Sequence, residues 1–136
     1  MRASPNRLAA TILGAVYLVV GIAGWFVTAG VAFFSTSGGL LVGILGVNPL
    51  HNALNILIGA ALLMAGLFTV AAAKTVTTIA GTAFLVLGIA GLFVIGGPFN
   101  VLALNGADNV LHLASSVVLL AVGLGAERSV TTAVTG

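Results

Sequence analysis

The sequence predicts an all-α integral membrane protein: a bundle of four transmembrane helices assembled from two parallel two-helix repeats. Three observations lead there. Of the 136 residues 60% are hydrophobic, and four basic plus two acidic side chains are too few to cover a soluble globule with polar surface. No Asp, Glu, Lys or Arg occurs between Arg7 and Lys74, or between Lys74 and Asp108. Those runs far exceed the roughly 20 residues that cross a bilayer. Finally, an extended stretch of the first run recurs in the second, as described below.

The expected spans are 8–28, 49–73, 76–95 and 107–126, within one membrane domain over 1–136. Gly96-Gly97-Pro98 stops the third span. Asn48-Pro49 opens the second, pairing a capping side chain with a proline that needs no hydrogen-bond partner at the first helical position. Arg2 and Arg7 ahead of the first run resemble the start of a secretory signal, but the run has full spanning length and is expected to be retained as a helix. The stretch from Val31 to Val47 is apolar enough to raise a fifth crossing or a re-entrant loop. Its Ser35-Thr36-Ser37-Gly38-Gly39 interruption favours a loop with a turn.

Four crossings place Arg2, Arg7, Lys74 and Arg128 on one side, which the positive-inside rule makes the cytoplasm. The expectation is a multi-pass protein of the cell inner (plasma) membrane with both termini cytoplasmic. The opposite face carries Asp108 and no Lys or Arg, and Phe33, Phe34 and Phe99 lie near that boundary. Tyr17 and Trp25 read as packing or interfacial residues.

The first span contains Gly14-Ala-Val-Tyr-Leu-Val-Val-Gly21-Ile-Ala-Gly24, and the third contains Gly81-Thr-Ala-Phe-Leu-Val-Leu-Gly88-Ile-Ala-Gly91, at an offset of 67 (81 minus 14). Asn48-Pro-Leu-His51-Asn52-Ala-Leu-Asn55 matches Asn105-Gly-Ala-Asp108-Asn109-Val-Leu-His112 at an offset of 57 (105 minus 48). The first loop is therefore ten residues longer than the second. Repeat units at about 8–73 and 76–126 each hold two crossings, so they point the same way and are expected to be related by a pseudo-twofold along the membrane normal. Gly14, Gly21 and Gly24, like Gly81, Gly88 and Gly91, and Gly59 with Gly66 in the second span, suit close helix packing, within the bundle or against a partner.

Polar side chains cluster at the heads of the second and fourth spans: Asn48, His51, Asn52 and Asn55, and Asn105, Asp108, Asn109 and His112. Facing lipid they would lack partners, so they are expected to form one structural layer of helix caps and cross-helix hydrogen bonds. Asp108 in the first helical turn also suits the helix dipole. His51, Asp108 and His112 form a donor set that suits several transition metals, but no second Asp or Glu and no Cys stands nearby to complete a shell. A proton or small-solute relay is the third reading of the same groups; it would find no ionisable partner in the other halves of the spans. Ser115 and Ser116 are expected to bond their own backbone, and Glu127-Arg128 to be a solvated helix end.

The absence of cysteine excludes thiolate catalysis and disulfides. Phosphate loops, zincin motifs and nucleophile elbows are lacking, and four dispersed basic residues make no nucleic-acid surface. No enzyme activity, cofactor or bound metal is expected.

The paired Asn-x-x-His-Asn and Asn-x-x-Asp-Asn-x-x-His motifs, each opening an apolar helix, resemble those of small four-helix membrane proteins common in actinobacteria and catalogued as a domain of unknown function. The resemblance spans about residues 7 to 126. In that family the first motif usually reads Asn-x-x-His-Asn-x-x-His, matched here at Asn48, His51 and Asn52 and broken at Asn55. A carboxamide in place of imidazole removes a strong metal ligand and keeps a hydrogen-bonding group, which favours the structural layer. The resemblance implies location and fold and brings no activity. The expected role is a non-enzymatic accessory subunit that stabilises or regulates a larger membrane complex, a multisubunit (lipid) transporter being one candidate host. Its expected partners are membrane lipids and other membrane-protein subunits. The alternative is an autonomous small transporter or metal-binding protein centred on the polar layer.

Overall fold

The computed structural model describes residues 4–126. Four helices long and apolar enough to cross a membrane, Pro5–Val27, Pro49–Leu67, Val70–Val94 and Gly106–Ala126, make this an all-helical, multi-pass membrane architecture. We label them α1 (Pro5–Val27), α2 (Pro49–Leu67), α3 (Val70–Val94) and α4 (Gly106–Ala121), the last continued by a π-helical turn, Val122–Ala126. Each start has a local cause. Ser4, Asn48, Thr69 and Asn105 are extended N-cap residues whose side chains accept an N–H of the first turn, and Pro5 and Pro49 occupy positions where a missing N–H costs nothing. Arg2, Glu127 and Arg128 lie outside the described residues.

The border between the second and third spans differs from the expected one. Lys74 reads as the punctuation mark, yet α2 ends at Leu67 and α3 begins at Val70, so the turn between them lies at 68–69. The reason is capping. Thr69 Oγ1 accepts from Ala72 N at 3.0 Å, and Ala71 to Ala73 then propagate α3. Arg7 closes the end of α2: its Nε donates to Gly66 O at 2.9 Å and its Nη2 to Leu67 O at 3.3 Å, a cation on orphan carbonyls at the negative end of the helix dipole.

The helices pack in two close pairs. A Cβ at Gly14 would overlap the backbone of Leu63, and one at Gly59 would overlap that of Leu18, so α1 and α2 meet backbone to backbone. Gly21 faces Ile56, and Gly66 faces Thr11 and the Arg7 carbonyl. In the other pair Gly81 faces Leu120, and Gly88 faces Leu113. Adding 67 to the α1 positions and 57 to the α2 positions converts the contacts Gly14–Leu63 and Gly21–Ile56 into Gly81–Leu120 and Gly88–Leu113. The close-packing glycines are thus occupied inside the chain. Between the pairs lies a core of Ala10, Tyr17, Leu62, Ala73, Ala80, Phe84 and Leu119.

The long loop between α1 and α2 contains no helix long enough to cross a membrane. It folds into an antiparallel hairpin of β1 (Gly39–Leu41) and β2 (Leu45–Val47), with Gly39 opposite Val47. Its turn is tight: Ile44 N donates to Leu41 O at 3.1 Å, and Val42 and Gly43 both have positive φ, 47° and 78°. That is the signature of a type I′ turn. For β-branched Val42 the left-handed backbone costs about 1–2 kcal/mol.

Candidate functional site: the polar layer beneath the hairpin

The helix caps assemble the layer. Asn48 accepts from His51 N at 2.8 Å and spends its amide on both loops, donating to Ser35 O at 2.8 Å and Val101 O at 2.7 Å. Asn105 and Asp108 form a capping box: Asn105 Oδ1 accepts from Asp108 N at 3.0 Å, and Asp108 Oδ2 accepts from Asn105 N at 2.9 Å. The Asn105 amide also donates to Ile44 O in the hairpin at 2.7 Å.

Gly46, on β2, joins the two halves. Its N–H donates to Asp108 Oδ2 at 3.0 Å, and its carbonyl lies 3.1 Å from His51 Nδ1. A carbonyl oxygen only accepts, so in this bond His51 Nδ1 is the donor. His51 and Asp108 occupy matching places in the two sequence motifs, and the backbone of one glycine from the extra loop length connects them. Both are buried, as are Asn48, Asn52, Asn55, Asn109 and His112, while Asn105 is partly covered.

Asn52 and Asn109 match in a further way. A Cβ at Gly24 would overlap Asn52 Oδ1, and a Cβ at Gly91 would overlap Asn109 Oδ1. Neither oxygen has a hydrogen-bond partner among the described residues, so each rests against a glycine Cα of the neighbouring helix, the arrangement of a weak Cα–H···O contact. The halves then diverge. Asn52 Nδ2 donates to Thr28 Oγ1 at 3.1 Å, whereas Ile95 stands at the position corresponding to Thr28.

Deeper in the bundle the layer merges with an aromatic stack. His112 lies parallel to Phe84, with centroids 5.4 Å apart and planes at 10°, and Tyr17 stacks on the same ring at 4.5 Å. The His51 and His112 rings are 5.6 Å apart and tilted by 56°. His112 Nδ1 has no partner among the described residues. Ser115 corrects its expected role: its hydroxyl pairs with Tyr17 OH at 2.8 Å, while Ser116 bonds its own backbone at Leu113 O.

Other buried polar residues were not singled out from the sequence. Asn6, fully buried at the far end of the bundle, accepts from Thr77 Oγ1 at 2.7 Å and donates to Val122 O at 2.8 Å, joining α1, α3 and the π turn. Its position in the first turn of an apolar helix, facing the same side as Ala10 and Gly14, is the available signal. Asn100 shapes the second loop by bonding both the carbonyl and the N–H of Leu104.

Chemically, the layer is turned inward. Asp108 Oδ2 is already shared between two backbone N–H groups, and among the described residues no three His, Asp, Glu or Cys side chains converge as a metal shell. A lipid-facing hollow of about 660 Å³ between α2 and α3 is lined by Leu54, Ile58, Ile79, Ala83, Phe84 and Leu87 among others, and no member of the polar layer reaches it.

A family model described as "Domain of unknown function (DUF4383)" matches residues 7–125. No curated protein and no solved structure matches the chain.

Proposed function

We propose that this chain, which belongs to the DUF4383 family, is a non-enzymatic accessory subunit that stabilises or regulates a larger complex in the plasma membrane. One observation carries the reading: the polar layer is buried inside the bundle, and the large side chains exposed along the helices are aliphatic and aromatic. Ile12, Val19, Phe26, Leu57, Val86 and Phe93 are all exposed along the helices. A surface of that kind, with almost no mass outside the membrane, meets only lipid and other membrane-embedded chains. Since the close-packing glycines are used internally, the partner surface is the outer aliphatic face. A multisubunit transporter is one class of host. Arg7 and Lys74 stand at one end of the bundle, which by the positive-inside rule supports a cytoplasmic side for that end and for both termini. Reporter fusions at residues 37 and 103 are expected to give external signals, and one at 74 a cytoplasmic signal.

The test is purification of the tagged protein from its native membrane in mild detergent. The expected result is a membrane-protein partner in fixed ratio whose abundance falls when this chain is deleted. Purification as a lone species, with partner levels indifferent to deletion, would contradict it. The second reading, an autonomous transporter or metal-binding protein, draws on the unpaired Nδ1 of His112 beside His51. It requires His51→Ala and His112→Ala to abolish transport or metal binding while leaving abundance intact.

A further inference from the structure

We propose that the hairpin end of the bundle is seated in the phospholipid interface of the adjoining leaflet, with the hairpin tip inserted among lipid chains. The tip carries the first argument. Type I′ turns favour Asn-Gly, because Asn tolerates the left-handed backbone and is comfortable in water. Here the first central position is Val42, left-handed at φ 47° and 78% exposed, an apolar, β-branched side chain in the backbone region it least favours. In water neither the strain nor the exposure has a compensation. Among lipid chains the exposure does.

The surroundings agree. Leu40 and Ile44, flanking the tip, are exposed, as are Phe33 and Phe34 in the same loop and Phe99 in the other, the last at 80%. Neither loop, 28–48 or 95–105, contains an Asp, Glu, Lys or Arg, and the nearby Asp108 is buried. The opposite end, by contrast, presents Arg7 and Lys74. The apolar surface continues without a charged boundary onto Trp25 and Phe26 at the end of α1, part of the lipid-facing surface of the helices. Aromatic side chains at that depth and a neutral, apolar ledge fit the headgroup and upper acyl region of a bilayer. A water-facing loop would carry charge there, and a soluble partner would find none to recognise.

The experiment uses the full chain with Trp25→Phe, which removes its single tryptophan, and Val42→Trp, reconstituted alone into phosphatidylcholine–phosphatidylglycerol vesicles. Phe99→Trp in the same background is the companion, since it leaves the strained turn untouched, and Ile44→Trp replaces Val42→Trp should that variant not fold. The expected result is blue-shifted emission at both positions, quenched by lipids brominated in the upper acyl chain and protected from aqueous acrylamide. Red-shifted, acrylamide-quenched emission would overturn the proposal by placing this end in water. Blue-shifted emission that brominated lipid leaves unchanged would overturn it as well, because a second protein copy would then be covering the tip.

Discussion

The α1–α2 pair and the α3–α4 pair share matching glycine contacts and differ in polar chemistry. Three glycines on each first helix meet corresponding residues on each second helix: Gly14, Gly21 and Gly24 against Leu63, Ile56 and Asn52, and Gly81, Gly88 and Gly91 against Leu120, Leu113 and Asn109. Yet Tyr17 corresponds to Phe84, Thr28 to Ile95, Asn55 to His112 and His51 to Asp108. Where the contact is backbone to backbone, as at Gly14, a single methyl group has nowhere to go. The polar positions were free to specialise, since a hydrogen bond can be satisfied by a partner from elsewhere in the chain. Gly46, on the longer loop, is such a partner, and it makes the two halves interdependent.

The largest expected effect compares the two seams directly. A Cβ at Gly14 would meet the backbone of Leu63, which cannot rotate away, whereas a Cβ at Gly81 would first meet the Leu120 side chain at 2.9 Å. Gly14→Ala should therefore cost about 3 kcal/mol or more and Gly81→Ala about 1 kcal/mol. Thermal unfolding in detergent reads the difference, and equal losses would mean that the two seams are equally tight. A smaller effect is expected for Thr28→Val, which leaves the Asn52 amide without its acceptor and should cost about 1 kcal/mol, while Ile95→Val in the other half should cost less. The smallest is Asn55→His, which makes this position identical to its counterpart His112 and should leave the melting temperature unchanged within error.

Much of this was legible in the sequence because a membrane simplifies the alphabet. Uncharged spans, glycines recurring at matched positions and a polar motif repeated at two helix heads point to the bundle and its polar layer. The border between α2 and α3 escaped because Ala71 to Ala73 read equally well as the end of one helix or the beginning of the next; the cap on Thr69 decides it. The hairpin escaped because its residues are apolar throughout, although Gly43 marks the turn between two short apolar runs. Tyr17 with Ser115 and Asn6 with Thr77 are separated by 98 and 71 residues, and only the packing brings them together.

The central claim is that the polar layer is a structural joint in which His51 and Asp108 hold the same glycine. A double-mutant cycle tests it: His51→Ala, Asp108→Ala and the double variant, each compared with the parent by unfolding in detergent. Each single change is expected to cost about 1–3 kcal/mol, since it strips a buried backbone group of its partner. The double variant should lose clearly less than the sum, because releasing the hairpin from either side already frees Gly46. Strictly additive losses, or full stability in all three variants, would contradict the account.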